Sequence, residues 1–358
     1  MSNMHVDKFY TAMKHMQDVY DKNGRKLAFD CKDMPEYDAW KKKTRAKLAE
    51  ITGIDKMTRC DLVPQIVSRE KMDGYERVKI IIQCEPDVFM PLYMLKPDGI
   101  SHGERRPVAL CLHGHCSAGK DSPAGRIDIP AVAEAVSEYN YAYGAECAKR
   151  GYIAFCPDAR AFGERREDCM QGDDAGSYMN STCTRLNHMA ICLGQSLTGM
   201  WTWDLMRLID YIETLEECDS GRIVSMGLSG GGLQTLWLCA MDDRPVCAVV
   251  SGYFYGYKDA LLGMSHCACN YVPHLWENVD MGDLGALIAP RPLLVETGDS
   301  DPLNGSRGMS NVTEQVDITR EAYRLFSAEK SLIHHVFEGG HYWNAEKTYD
   351  FVADSLRC

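Results

Sequence analysis

Short apolar runs alternate with amphipathic stretches along most of the chain. The apolar runs predict strands at about 108–112, 153–156, 223–226, 248–251, 293–296 and 332–337. Stretches with apolar residues at helical spacing predict helices at about 131–150, 198–215, 232–241, 316–327 and 346–356. Such an alternation is typical of a mostly parallel sheet with helices on both faces. Because ligands of these sheets bind beyond the carboxyl ends of the strands, we expect the chemistry at those ends.

The N-terminal part has a different pattern. Its first segment carries apolar residues at helical spacing, namely Val6, Phe9, Tyr10, Met13, Met16 and Tyr20. A second helix is predicted from about 36 to 51, with Trp40, Leu48 and Ile51 facing inward. Extended segments follow at about 74–83 and 88–95, and Pro97-Asp98-Gly99 predicts a turn. We therefore predict a helical extension over residues 1–70, packed on an α/β domain over 71–358.

Charge and composition exclude several classes of function. The 358 residues include 39 Lys and Arg against 51 Asp and Glu, a net charge of −12. This charge argues against nucleic-acid and anionic membrane partners. No apolar run is long enough to cross a bilayer, and the N-terminal segment lacks the apolar core of a secretion signal. With 16 cysteines and no such signal, we expect a cytoplasmic protein with reduced thiols.

The clearest chemical signal lies between a predicted strand and a predicted helix. Residues 227–232 read GLSGGG, which contains the G-x-S-x-G pattern in its required strand–turn–helix context. The small neighbours let the chain fold back sharply, so that Ser229 projects above the sheet. The N-terminus of the following helix directs N–H groups at developing negative charge. We interpret Ser229 as a nucleophile.

A serine nucleophile needs a base and an acid that orients the base. In folds whose serine lies at such a strand–helix turn, the acid and then the histidine follow the serine along the chain. Residues 298–302 read GDSDP after a predicted strand, so Asp299 and Asp301 compete for the acid. His341 lies beyond the next strand, whereas His334 and His335 lie within it and are interpreted as packing or surface residues. His341 is therefore the predicted base.

The loop after the first parallel strand has the spacing of a phosphate-binding loop. Gly114, Gly119 and Lys120 match G-x-x-x-x-G-K, but Asp121 stands where a magnesium-binding Ser or Thr is required. We therefore interpret the match as accidental and keep nucleotide binding only as a distant alternative. In an acyl-transfer enzyme this loop instead donates an N–H to an oxyanion, together with the residue after the serine. The predicted donors are Gly230 and a residue near His115 or Cys116.

Other polar clusters have ordinary structural explanations. Cys267-Ala268-Cys269 beside His266 comes closest to a metal-ligand cluster, but no pair has zinc-finger spacing, and we expect a packed turn and no metal. Asp204 and Arg207 are predicted to form a salt bridge within one helix. Two irregular segments, about 162–187 and 253–283, have the length of functional loops.

Together these motifs resemble the α/β-hydrolase superfamily, and most closely its bacterial acetyl xylan esterase and dienelactone-hydrolase-like branch. The resemblance covers about residues 70–358 and rests on HGH at 113–115 with Gly119 and Lys120, DARAFGE at 158–164, Trp203-Asp204 with Arg207, LSGG at 228–231, APRP at 289–292, GDSDP at 298–302 and GGH at 339–341. In this branch the acid directly precedes a proline, which implies Asp301. The sequence departs from the branch at 303–306, where LNGS replaces an apolar residue and proline, so the loop shape and the substrate preference are expected to differ.

The resemblance implies a serine esterase acting on a small ester, often an acetyl ester of a carbohydrate. It requires no metal or organic cofactor. The segment after the nucleophile helix often covers the active site in this fold, which makes Tyr255 and Asn270 candidate substrate-binding residues. Homo-oligomers are common among such relatives. A peptidase, a thioesterase, a lactonase and a non-catalytic ligand-binding relative remain the alternatives, since the fold supports many chemistries.

Overall fold

Buried apolar runs of the sequence become strands of one large sheet. The computed structural model describes residues 8–115 and 117–357. The strands in these residues are β1 Gln65–Lys71, β2 Tyr75–Glu85, β3 Val88–Pro97, β4 Arg106–Leu112, β5 Ile153–Pro157, β6 Cys218–Leu228, β7 Pro245–Ser251, β8 Leu293–Gly298 and β9 Leu332–Phe337. All of the strands predicted from the sequence are present at or near their expected positions.

The helices in the described residues connect these strands. They are α1 Met13–Asn23, α2 Met34–Thr52, α3 Pro130–Tyr139, α4 Tyr143–Lys149, α5 Ala175–Tyr178, α6 Cys183–Cys192, α7 Leu197–Ile212, α8 Gly230–Met241, α9 Leu275–Asn278, α10 Met281–Ala286, α11 Met309–Leu325 and α12 Thr348–Ser355. The predicted helix at 131–150 is two helices, because Asn140 takes a left-handed conformation that ends α3.

Within the described residues the strands follow the order β1-β2-β3-β5-β4-β6-β7-β8-β9. The first three are antiparallel, and β3 also pairs antiparallel with β5. From β5 through β4 to β9 every pairing is parallel. The carboxyl ends of β4, β6, β8 and β9 therefore lie along the same edge of the sheet.

Helices cover both faces of the parallel part of the sheet. Val250 packs in one buried cluster with Leu236 of α8 and Val316 of α11. Its neighbour Val249 packs in another cluster with Ala148 of α4 and Val352 of α12. Because successive strand residues point to opposite faces, both faces are buried and the strands read as continuous apolar runs. The predicted sheet with helices on both faces is confirmed.

The N-terminal prediction needs correction. The first helix begins only at Met13, and Phe9 and Tyr10 lie before it and are exposed. Val6 lies outside the described residues. The predicted second helix is present as α2, where Leu48 is fully buried and Trp40 and Ile51 pack against the same core. Strand β1 crosses the expected boundary at residue 70, and its positions are almost all exposed, so it shows no apolar alternation.

No helix in the described residues combines the length and the apolar character needed to cross a membrane.

Candidate active site

Ser229 lies at the sharp turn between β6 and α8. Its backbone has φ 58° and ψ −119°, in the positive-φ region that residues with side chains seldom adopt. The turn is fixed by two hydrogen bonds: the Ser229 N–H donates to the Ser251 carbonyl, and the Leu233 N–H donates to the Ser229 carbonyl, both at 2.9 Å. Strain that the surrounding structure holds in place is typical of functional residues.

Close backbone contacts explain the glycines around the serine. A Cβ at Gly227 would lie 2.6 Å from the Leu112 carbonyl oxygen, and one at Gly231 would overlap that oxygen. A Cβ at Gly230 would lie 2.8 Å from Nδ1 of His115. The glycines thus let β4 and its following loop pack directly against the turn that carries Ser229.

Asp301 and His341 meet beyond the ends of β8 and β9. The Nδ1 atom of His341 lies 2.7 Å from Oδ2 of Asp301. The competing acid, Asp299, is exposed and accepts the Gly339 N–H at 3.1 Å. The structure therefore brings Asp301, and not Asp299, to the histidine. His334 and His335 lie within β9, as predicted.

Ser229 and His341 open into the same cavity, which has a volume of about 290 Å³. The other residues that line it are His115, Tyr139, Tyr141, Ser265, His266, Cys267, Asn270 and Leu303. An adjoining cleft of about 750 Å³ shares His115, Tyr139 and Cys267 with this cavity. The serine, the base and a larger open cleft are thus connected.

The loop after β4 lies against the serine, as an oxyanion loop must. A Cβ at Gly114 would lie 3.1 Å from Cβ of Ser229. Gly230 begins α8, and its N–H belongs to the first turn, where a helix provides no partner of its own. His115 lines the cavity, and its carbonyl accepts the Tyr141 hydroxyl at 2.9 Å. Cys116 lies outside the described residues.

His113 holds the loop after β4 in place through hydrogen bonds of its ring. Its Nε2 accepts the Ala159 N–H at 3.1 Å, so the proton is on Nδ1, which lies 2.9 Å from the Gly114 carbonyl. Burial lowers the pKa of His113 to about 4, and the neutral ring fits both contacts. His113 is a positioning residue beneath the site.

Lys120, the lysine of the phosphate-loop pattern, belongs to a buried ion-pair network. Nζ of Lys120 lies 2.9 Å from Oδ2 of Asp158 and 2.5 Å from Oε1 of Glu164. Burial disfavours the charge of Lys120, but Asp158, Asp121 and Glu164 together raise its pKa well above the ordinary value. A Cβ at Gly119 would overlap a carboxylate oxygen of Asp158. The glycine and the lysine therefore hold the loop rather than face a ligand.

The predicted helical salt bridge between Asp204 and Arg207 is wrong. Asp204 instead pairs with Arg160 at 2.7 Å and with Arg165 at 2.8 Å, both from the segment after β5. Arg207 pairs with Asp210 on its own helix. The buried Asp204 carboxylate forms ion pairs with the guanidinium groups that pack against it. These neighbours are distant in the chain, so helical spacing alone does not reveal them.

The two candidate substrate-binding residues lie in different places. Tyr255 is buried and does not line the cavity, and among the described residues its hydroxyl has no hydrogen-bond partner. Asn270 does line the cavity, but Oδ1 accepts the Tyr253 hydroxyl at 2.6 Å and Nδ2 donates to the Cys267 carbonyl at 3.1 Å. Both polar atoms of the Asn270 side chain thus bind within the protein and stabilise the loop.

Sequence reasoning missed several residues of the cavity wall. Tyr139 and Tyr141 come from the end of α3 and the loop after it, and His266 comes from the 253–283 segment. Burial lowers the pKa of His266, whose Nε2 has no partner in the described part of the chain. The aromatic run YNYAY at 139–143 was the available signal for the tyrosines.

The cysteine turn is packed against residues other than the expected His266. Cys267 and Cys269 group with Cys183 at the start of α6 and with His115. Nε2 of His115 lies 3.1 Å from Sγ of Cys269. These four residues could hold a metal ion, and two of them, His115 and Cys267, also line the cavity.

The fold and the site together define an α/β-hydrolase. The serine lies at a strained strand–helix turn, and the acid and the histidine follow later strands of the same sheet. The model of the Abhydrolase family matches residues 3–338. The chain belongs to this family, so the predicted fold class, the resemblance to the superfamily and the prediction of a hydrolase are confirmed.

Individual relatives are distant. The chain is 25% identical, over 231 residues, to a provisionally named hydrolase, YtaP, of Bacillus subtilis (strain 168), covering 63% of this chain and 70% of the relative. A provisionally named acetyl xylan esterase from Bacteroides fragilis NCTC 9343 superposes with a TM-score of 0.73 at 20% identity, covering 94% of this chain and 84% of that one. A glucuronoyl esterase from Solibacter usitatus superposes with a TM-score of 0.62 at 16% identity, covering 93% and 96%. At these identities the two structures show the fold.

Proposed function

We propose that this protein is a serine carboxylesterase that forms an acyl-enzyme on Ser229. The observation that carries the proposal is the shared cavity: Ser229, on its strained turn, and His341, paired with buried Asp301, open into the same space. Ser327 also has a positive φ, and His274 and His335 also lie beside carboxylates, but none of these three residues lines the cavity.

The first half of the reaction uses His341 as a base. Because Nδ1 of His341 faces Asp301, Nε2 is the atom available to take the Ser229 proton. The serine oxygen then attacks the ester carbonyl. The N–H groups of Gly230 and of the loop at His115 stabilise the resulting oxyanion. His341 returns the proton to the leaving alcohol, and Asp301 stabilises the charged imidazole in between.

The second half releases the acid. Water enters the cavity after the alcohol leaves, and His341 takes its proton as the oxygen attacks the acyl-enzyme. A second oxyanion forms at the same N–H groups. It collapses to the free acid as the bond to Ser229 breaks and His341 returns the proton to the serine oxygen. His341 carries the proton in each transfer of this cycle.

The cavity dimensions support a short acyl group and a polar alcohol. A volume of about 290 Å³ is at the lower end for small-molecule sites, which favours an acetyl-sized acyl group. The adjoining cleft is lined by polar side chains that can hydrogen-bond to hydroxyl groups, including Glu134, Glu138, Asn180 and Thr184. An acetylated sugar fits both spaces, in keeping with the acetyl xylan and glucuronoyl esterase names of the structural neighbours.

The expected location remains cytoplasmic. The cysteines in the described residues are unpaired, which suits a reducing compartment. A small soluble ester is therefore a more suitable substrate than an extracellular polymer.

The test is hydrolysis of p-nitrophenyl acetate, butyrate and octanoate by wild type and Ser229→Ala. We expect turnover to fall from acetate to octanoate and the variant to lose about 10⁴-fold or more in kcat. A matched control is Ser265→Ala, which changes another serine of the same cavity and should retain most activity. Equal turnover by wild type and Ser229→Ala would refute the proposal.

A substrate panel separates the alternatives. Thioester, lactone and aminoacyl-amide substrates are compared with acetylated sugars by kcat/KM, and a higher value on any of the first three would replace the esterase assignment. Labelling with a fluorophosphonate distinguishes a catalytic site from a ligand-binding one. One label per chain, absent in Ser229→Ala, is expected, and an unlabelled wild type would refute the catalytic role.

A further inference from the structure

Four metal-ligating side chains converge beside the Ser229 cavity. His115, Cys183, Cys267 and Cys269 each offer one ligand atom, and these atoms all lie within 4.8 Å of one another. They come from three segments: the loop after β4, the first residue of α6, and the turn at 267–270. We propose that these four side chains form a structural zinc site that fastens the loop beside the nucleophile.

The donor set has the composition of a closed zinc site. Three cysteines and one histidine bind Zn²⁺ tetrahedrally and leave no position for water or substrate. With Zn–S bonds of about 2.3 Å, sulfur ligands stand about 3.8 Å apart. The four atoms therefore need to approach one another by about 1 Å at most. His115 Nε2 and Cys269 Sγ, 3.1 Å apart, would instead separate by about 0.5 Å, because tetrahedral Zn–N and Zn–S bonds place such ligands about 3.6 Å apart.

The surroundings support the ligands. Cys183 and Cys269 are buried, so their thiols are shielded from solvent. The Asn270 amide donates to Sγ of Cys269 at 3.6 Å, and the Asn187 amide of α6 donates to the Ala268 carbonyl at 2.8 Å. Hydrogen bonds to the ligands and their backbone orient metal sites in this way. On binding, the three thiols release their protons to solvent.

The zinc would act on the position of the oxyanion loop. Coordination through Nε2 keeps the His115 proton on Nδ1. That edge of the ring packs on Gly230, where a Cβ would lie 2.8 Å from Nδ1. The metal thus fixes the ring that separates the cysteine turn from the start of α8. This proposal replaces the expectation of a metal-free packed turn.

The first experiment measures zinc in the full chain, expressed with added zinc and purified in reducing buffer without chelators. Elemental analysis should give about one zinc per chain for wild type. Cys267→Ser and Cys183→Ser should each retain less than about a tenth of that amount. Cys192→Ser is the matched control, since it removes an exposed thiol at the other end of α6 and should keep the zinc. Equal zinc in all four proteins would overturn the proposal.

A second measurement does not depend on variants that fold. Wild-type protein is stripped with a chelator, reduced, and titrated with Co²⁺. A thiolate-to-cobalt absorption band that saturates at about one equivalent is expected, and excess Zn²⁺ should abolish it. A wild type that contains no zinc and shows no such band would refute the site.

The zinc site and the proposed esterase activity can fail independently. Ser229→Ala should lose turnover and keep its zinc. An inactive wild type with one zinc per chain would refute the esterase and leave the zinc site standing, whereas an active wild type without zinc and without a cobalt band would do the reverse.

Discussion

Nδ1 of His341 lies 2.7 Å from Oδ2 of Asp301, although 40 residues separate them in the chain. Only 1% of the Asp301 side chain is exposed, and its other oxygen accepts the Leu303 N–H at 2.9 Å. A carboxylate held at both oxygens can keep the imidazole in one orientation, with Nε2 free to accept a proton. This pairing distinguishes Asp301 from Asp299, which their shared position after a predicted strand left in competition.

The exchange Asp301→Asn should therefore reduce kcat by about 10⁴-fold, because the amide favours the wrong histidine tautomer and cannot stabilise its charge. The rate with the best ester substrate, measured alongside circular dichroism to check folding, decides this. Asp299→Asn is the matched control, since that exposed side chain accepts the Gly339 N–H and does not contact His341. A larger loss in Asp299→Asn than in Asp301→Asn would mean that the acid was assigned wrongly.

Gly227, which lies in β6 two residues before Ser229, should not tolerate a side chain. In Gly227→Ala the added Cβ meets the backbone of Gly231 at 2.5 Å and the Leu112 carbonyl at 2.6 Å. Backbone atoms cannot move aside cheaply, so we expect the free energy of unfolding to fall by at least about 2 kcal/mol. Urea denaturation measures the change.

The same strand provides the control. Gly221 is exposed, and a Cβ there would lie 3.4 Å from a carboxylate oxygen of Asp219, an ordinary contact. Gly221→Ala should change stability by less than about 0.5 kcal/mol. If both variants were equally stable, steric crowding would not explain the glycines of this turn.

The parallel strands could be predicted because burial on both faces makes them continuous apolar runs. Strand β9 has the predicted bounds, Leu332–Phe337. Strand β1 could not be found this way, since its side chains are mostly exposed and its place in the sheet depends on pairing with β2. The N-terminal pattern was misleading for a related reason: Phe9 and Tyr10 repeat like a buried helix face, yet both are exposed.

The candidate nucleophile, acid and base could be located because each follows a strand whose carboxyl end lies at the same edge of the sheet. Cys183 could not be connected with Cys267 in this way. They are 84 positions apart and meet only because α6 packs on the 267–270 turn. Asp204 was assigned to the wrong arginine for the same reason, since its partners come from another segment.

The lysine of the phosphate-loop pattern should matter for stability and not for nucleotides. Lys120→Met removes the charge that faces fully buried Asp158, so we expect a loss of about 3–5 kcal/mol in the free energy of unfolding. Lys79→Met is the control. It removes another lysine bound to Glu164, at 2.8 Å, but nearer the surface, and should cost less than about 1 kcal/mol. Measurable ATP binding by wild type that Lys120→Met abolishes would instead restore the nucleotide interpretation.

Asp280 should make the protein less stable as the pH rises from about 4 to 6. Burial raises its pKa to about 6 from an ordinary 3.8, although the N–H groups of Tyr257 and Met281 donate to its Oδ1. The folded state therefore holds the proton more tightly than the unfolded state. The resulting stabilisation is fully present below about pH 4 and is lost as the pH rises through about 6. The shift corresponds to about 3 kcal/mol.

Asp280→Asn removes this ionisation while keeping an oxygen that can accept both N–H groups. Urea denaturation at pH 4.5 and pH 7 should show that wild type loses more stability than the variant over this interval. Asp18→Asn is the control, because that carboxylate is exposed on α1 and should leave the wild-type pH dependence unchanged. If Asp280→Asn kept the full dependence, the ionisation of Asp280 would not be its source, and the buried carboxylate would have to remain charged across the whole range.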